Sequence, residues 1–285
     1  MFRLVNVDGR AALEHDGSWF DLATVSGDDT LADPMVAVAR HQELHDLAGR
    51  LGAAVPGGAM AGITLGAPVP RPRQVFGIGL NYAEHAGESG QPVPTVPLTF
   101  TKFPSCIVGP TADVPVTGPM VDWEVEVVAV IGSAASHVAV ADGWNYVAGL
   151  MLGQDVSDRA VQLSDTPPQF SLGKSFTAFG PTGPALVSLD AFADTDNVGL
   201  WCDVNGERMQ EGRTNDLIFS VPQLVAYLSS ICTLYPGDLV FTGTPSGVGL
   251  ARGQFLAVGD ELVSGGEGLG ELRNRLVEGP GPLTF

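Results

Sequence analysis

Cysteine is scarce. The 285 residues hold three, Cys106, Cys202 and Cys232, far apart and without C-x-x-C spacing. An odd, scattered set excludes a disulfide framework and a cysteine-built zinc site, and a reducing cytoplasm is the simplest location. Positive charge is scarce as well: 14 Lys and Arg stand against 32 Asp and Glu, a net charge of −18. Such a chain has no basic face for nucleic acid. A local cation cluster could still receive an anionic substrate inside a pocket. No apolar run reaches the length of a bilayer, which argues against a membrane partner. Met1–Asn6 lacks the apolar core of a signal peptide. There is no internal repeat.

Several catalytic signatures are also missing. Gly173-Lys174-Ser175 resembles the end of a phosphate-binding loop, but Pro168 stands where that loop needs its first glycine. Thr244 occupies the first glycine position of a G-x-S-x-G elbow, which disfavours a serine hydrolase. No Gly-x-Gly-x-x-Gly follows a strand in a βαβ setting, which disfavours a dinucleotide enzyme.

What the chain has in quantity is glycine and proline, 37 and 21 residues, with 45% hydrophobic and only 16% charged residues. This suits a turn-rich, β-heavy enzyme. Asp33 and Pro34 predict a helix start, and an apolar stripe from Met35 to Leu51 predicts one helix ending at Gly52. Its His41 and His45 read as helix surface. The stretch Pro56–Pro72 reads as a linker, with a domain boundary near residue 70. Beyond it, strands are predicted at Val75–Ile78, Leu98–Thr101, Glu124–Ile131, Ala185–Val187, Leu200–Val204 and Leu239–Thr242. One helix is predicted at Val221–Ile231, capped by Ser220.

The strand from Val121 to Ile131 is unusual. Side chains alternate along a strand, so Glu124 and Glu126 share a face, while Val127–Ile131 is apolar on both faces. Two like charges at the edge of a buried surface repel and are poorly solvated. They stay ionised beside a cation, and a hard divalent ion prefers carboxylate oxygens. The plain alternative is a half-exposed strand whose glutamates face water. Asp155 could add a third carboxylate, and Arg159 and Gln162 could grip a substrate carboxylate. His85 and Glu88 lie one helical turn apart, within reach of each other. A carboxylate behind an imidazole fixes its tautomer and makes a competent general base. Thr242–Gly249 is a glycine-rich loop that can present backbone N–H groups to an anion or oxyanion.

Taken in order, these pieces resemble the fumarylacetoacetate hydrolase family. They are Gly79-Leu80-Asn81-Tyr82 with His85 and Glu88, Thr101-Lys102, Asp122-Trp123-Glu124-Val125-Glu126, and Asp155-Val156-Ser157 through Gln162. Gly173-Lys174-Ser175-Phe176, Val204-Asn205-Gly206-Glu207, Ile218-Phe219-Ser220 and Thr242-Gly243-Thr244-Pro245 complete the series. The resemblance implies a mostly β, α+β fold: a mixed β-sandwich roll over residues 71–285, behind a small N-terminal α/β domain at 1–70. It implies that Glu124, Glu126 and Asp155 ligate Mg²⁺ or Mn²⁺, with Ca²⁺ a third candidate. It makes His85, Glu88 and Lys174 catalytic, and Lys102, Arg159, Gln162 and Thr244 substrate-binding. The implied activity is hydrolysis of a C–C bond in a 2-oxo acid or β-diketone, in a homodimer. The alternative is a related isomerase of the 2-hydroxyhepta-2,4-diene-1,7-dioate type, or an oxaloacetate decarboxylase. The chain departs from the resemblance at Asp158 and Ala160, where the acid is displaced by two positions, and at Leu80, where some members carry a cation. The Tyr82–Pro94 segment reads as a mobile loop bearing one helical turn.

Overall fold

Seven consecutive buried residues, Val125–Ile131, form the strand on which the molecule is organised. A run apolar on both faces must be covered on both faces, and it is. In the computed structural model, which describes residues 1–281, this strand lies between Val147–Gln154 and Leu239–Phe241. The large sheet continues on one side through Gly180–Val187 to Arg3–Val7, Arg10–His15 and Ser18–Asp21. On the other side it ends with Val75–Gly79 and Leu98–Thr101. A second, five-stranded sheet runs Glu207–Arg213, Gly199–Val204, Glu261–Gly266, Gly270–Glu278 and Val114–Val116. Val147–Gln154 and Gly180–Val187 of the first sheet pack on the last two long strands of the second. The result is a mixed-sheet sandwich with short helices, as the family resemblance implies. Among the described residues, no helix is long and apolar enough to cross a membrane.

Register places the chemistry. Val125 pairs with Gln154 and Glu126 with Gly153. The next pair outward is Glu124 and Asp155, and the Asp155 N–H donates to the Glu124 carbonyl at 2.9 Å. The strand itself starts at Val125, one residue later than expected. Glu124 falls in a break because side-chain amides replace the ladder there. The Glu124 N–H donates to Gln154 Oε1 and the Val125 N–H to Gln210 Oε1, both at 3.0 Å.

Two further expectations are corrected. The first long helix is broken at Arg40 into Pro34–Ala39 and His41–Ala48. Arg40 leaves helical geometry (φ −109°, ψ 26°) while its guanidinium holds Asp28 and Glu43. The break turns His41 inward: it is buried beside Gly132, where burial lowers its pKa. The Pro56–Pro72 stretch is not a bare linker either. Gly58–Ala59 and Leu65–Gly66 pair back onto Ser18–Asp21 and Arg3–Val7. Asn6 Nδ2 donates to the Ala67 carbonyl at 2.8 Å and fixes the same return.

Candidate active site

Glu124, Glu126 and Asp155 converge at the ends of the two central strands, with one oxygen from each within 4.8 Å of the others. All three are buried. Lys174 Nζ lies between them, 2.6 Å from Glu124 Oε2 and 2.6 Å from Asp155 Oδ2. Arg159 completes the network. Its Nε donates to Asp122 Oδ2 at 2.7 Å, one terminal nitrogen to Glu124 Oε1 at 2.6 Å and the other to Gln162 Oε1 at 3.0 Å.

Burial alone would raise the Glu124 carboxyl, but the Lys174 ammonium and the Arg159 guanidinium overturn it and hold Glu124 below the usual carboxylate range. Glu126 goes the other way. Burial pushes it well above the usual range, and the charges of Asp155 and Glu124 add to the push. A single backbone N–H, from Gly243 at 2.7 Å, supports its carboxylate. Gly243 sits at φ +107°, and a Cβ there would meet Asn81 Cβ at 2.7 Å, so only glycine aims this N–H. Lys174 keeps its proton: burial works against it, and Asp155 and Glu124 more than compensate.

The donor set fits a hard dication. All donors are carboxylate oxygens, and among the described residues Glu126 has no cation in hydrogen-bond contact, so it is the acid that burial and its neighbours favour as the protonated form. A pH dependence follows. An incoming ion must displace the proton that Glu126 holds, so divalent affinity should rise with pH above the ordinary glutamate range, with release of up to one proton. Calorimetric titration of Mn²⁺ in buffers of differing ionisation enthalpy measures this. The linked stability has the opposite sign. In that window the metal-free fold binds a proton that the unfolded chain has released, so metal-free stability falls as pH rises. A metal-free melting temperature that rises across the window would contradict the placement of this proton.

His85 is buried on the short helix Ala83–Glu88, with Nδ1 2.7 Å from Glu88 Oε1. The other oxygen of Glu88 accepts the Gly247 N–H at 2.9 Å. Gly247 has φ +103° and approaches the Met209 carbonyl too closely for any side chain. The glycine-rich loop therefore clamps the dyad from behind. His85, Glu124, Arg159, Gln162, Lys174 and Thr244 all line one cavity of about 520 Å³. The Thr244 hydroxyl is engaged between Gln210 Nε2 and the Val125 carbonyl. Gln162 presents a buried Nε2 with no partner among the described residues, a donor awaiting an acceptor.

Lys102 is not with them. It is fully buried behind Asp155 and donates to Asp155 Oδ1 at 2.7 Å, to the Phe179 carbonyl at 3.0 Å and to the Lys174 carbonyl. All three ammonium hydrogens are used, so it supports Asp155 and does not reach substrate. Lys102→Met should cost about 3–5 kcal/mol of stability, because it strands a buried carboxylate and two carbonyls. Urea unfolding measures this; a loss below about 1 kcal/mol would show that the cluster tolerates the vacancy. Asp158 is likewise structural. It accepts the Thr117 hydroxyl at 2.7 Å and the Val161 N–H at 3.2 Å. The acid beside Arg159 is Asp122, which also accepts the Gly249 and Leu250 N–H groups at 2.6 and 3.0 Å.

Asp122, Gln154, Gln210 and Asn81 carry no individual role in the sequence reading, yet each fixes the site. Asn81 ties the Thr242 carbonyl to both polar groups of the Phe219 backbone. One sequence signal for the lysines was available: the chain contains only two, Lys102 and Lys174, and both are buried here.

Residues 74–277 match the family model of the fumarylacetoacetate (FAA) hydrolase C-terminal domain. The chain belongs to the fumarylacetoacetate hydrolase family. It is 44% identical over 219 residues to the human mitochondrial oxaloacetate tautomerase FAHD2A, covering 75% of this chain and 70% of that one. A Mycobacterium smegmatis protein provisionally described as HpcE has the same fold, with TM-score 0.89, 44% identity and coverage of 97% and 99% of the two chains. A maleylpyruvate hydrolase from Sphingobium sp. SYK-6, solved with a manganese(II) ion and pyruvate, superposes with TM-score 0.81, 25% identity and coverage of 97% and 99%. Members of this family act on small molecules. The buried acidic triad has the carboxylate donors that a divalent metal takes, and the maleylpyruvate hydrolase relative was solved with manganese(II).

Proposed function

We propose that this protein is a divalent-metal-dependent hydrolase that cleaves the C–C bond of a 2-oxo acid bearing a β-diketone, of the acylpyruvate type. The observation that carries the reading is the oriented His85, which shares one cavity wall with Glu124 and Lys174. Glu124, Glu126 and Asp155 would hold Mg²⁺ or Mn²⁺, which when bound draws electron density from substrate oxygens. Gln162 Nε2 and the Thr244 main chain are placed to bind and orient an anionic head. His85 Nε2, opposite the nitrogen held by Glu88, accepts a proton from water. The water oxygen joins the distal carbonyl carbon, and the bond from that carbon to the methylene breaks. The methylene carbon takes a proton, so a carboxylic acid and a pyruvate-like acid leave. Lys174, held charged by Glu124 and Asp155, supports the negative charge that develops.

A second reading rests on the identity with an oxaloacetate tautomerase. The same imidazole could shuttle a proton between carbon and enol oxygen without water attack, and an oxaloacetate decarboxylase would use the same site. The experiment is a panel of acylpyruvates, oxaloacetate and hydroxymuconate-type diacids, assayed with Mg²⁺ or Mn²⁺. Stoichiometric acid and pyruvate from an acylpyruvate support hydrolysis. Enol–keto interconversion or CO₂ release without acylpyruvate cleavage would replace it with the second reading.

A further inference from the structure

The cavity has two unlike halves. At one pole stand Glu124, Lys174, Arg159, Gln162 and His85. The rest of the wall is mainly apolar, built from Leu80, Leu98, Phe100, Leu163, Phe170 and Leu250, with Ser89 and Gln91 as neutral polar members. Phe100 sits at the border, with Lys174 Nζ 4.9 Å from its ring centre and Phe170 edge-on at 5.9 Å. Leu98, Leu163 and Leu250 are 40%, 49% and 39% exposed, apolar surface that an occupant would cover. Leu80 holds a backbone φ of +55°, a conformation bulky side chains rarely take, where it lines the cavity.

The charge inventory points the same way. Among the described residues lining the cavity, the cations are Arg159 and Lys174, and both are committed to carboxylates at the polar pole. The apolar half offers no cation. A second carboxylate placed there would lose water and gain no charge partner, only the neutral Ser89 and Gln91 side chains.

Building on the 2-oxo acid reading above, we propose that the cavity selects an acid with one anionic, oxygen-rich head and an apolar tail, and rejects dicarboxylates. The alkyl or aryl tail lies against Phe100, Phe170 and the three half-exposed leucines. By this inference oxaloacetate is a poor ligand, despite the names of the relatives.

Binding of unreactive 2-oxo acids to the Mn²⁺-loaded protein tests it by calorimetry. The probes are the straight-chain monoacids from 2-oxopentanoate to 2-oxooctanoate, each against the 2-oxo diacid of matching chain length. Each added methylene in the monoacids should tighten Kd by about fourfold, as burial of a CH₂ predicts. The diacid should bind roughly tenfold or more weakly than its monoacid. Phe170→Ala should flatten the methylene series. Leu163→Arg, at a half-exposed position that tolerates a polar side chain, should restore diacid binding. A diacid that binds wild type as tightly as its monoacid, or a flat methylene series, overturns the proposal. Failure of every 2-oxo acid to bind would instead remove the head-group reading, and this inference with it.

Discussion

Glu126→Gln should weaken divalent binding by a hundredfold or more while leaving the metal-free protein as stable as wild type, or more stable. The two effects have opposite signs because Glu126 is the acid of the cluster that is favoured as the protonated form. Its carboxyl is raised by burial and by the neighbouring Asp155 and Glu124. Without an ion, the fold is burdened with a carboxylate it would rather keep protonated. A neutral amide of the same shape removes that burden, and its oxygen can still accept the Gly243 N–H. With an ion, the same change replaces a charged hard donor by a poor one. Turnover should fall with metal occupancy and recover partly at high Mn²⁺. Manganese titration and thermal melts, with and without chelator, read both effects. Wild-type affinity in the variant would remove Glu126 from the metal site. Full activity in excess chelator would remove the metal from the reaction.

His85→Ala should leave metal binding intact and lower hydrolytic kcat by about 10²–10⁴, the usual share of a general base. Glu88→Gln should lower it less. The imidazole survives, but the charge that orients Nδ1 is gone, and one amide oxygen must serve both His85 and the Gly247 N–H. The split is informative. If the activity is tautomerisation or decarboxylation, the wild type shows little hydrolysis, and the remaining chemistry can survive the alanine. Measuring acylpyruvate hydrolysis and oxaloacetate turnover side by side in both proteins separates the cases. Unchanged hydrolysis in His85→Ala would take this residue out of the mechanism.

Much of this site was legible before any coordinates. Alternation put Glu124 and Glu126 on one face, and helical spacing put His85 next to Glu88. Those are local periodicities, and local periodicity survives folding. What stayed hidden is set by register between distant strands. Nothing near Lys102 in the chain reveals that it faces Asp155, 53 residues on, and not the substrate. The partnership of Arg159 with Asp122, and not with the adjacent Asp158, is of the same kind. Gln154 and Gln210 matter because a ladder breaks at Glu124, and a break is invisible in a sequence that reads as continuous strand. The kink at Arg40 was hidden for a related reason: an apolar stripe shows which side is wet, not that an ion pair will bend the helix.

The lysine distribution has a practical side. With Lys102 and Lys174 both enclosed, no lysine ammonium stands on the outer surface among the described residues. Amine-reactive dyes, crosslinkers and biotin reagents should therefore leave both side-chain ammoniums untouched while the protein is folded. Lysine modification detected by mass spectrometry would report that the active site has opened.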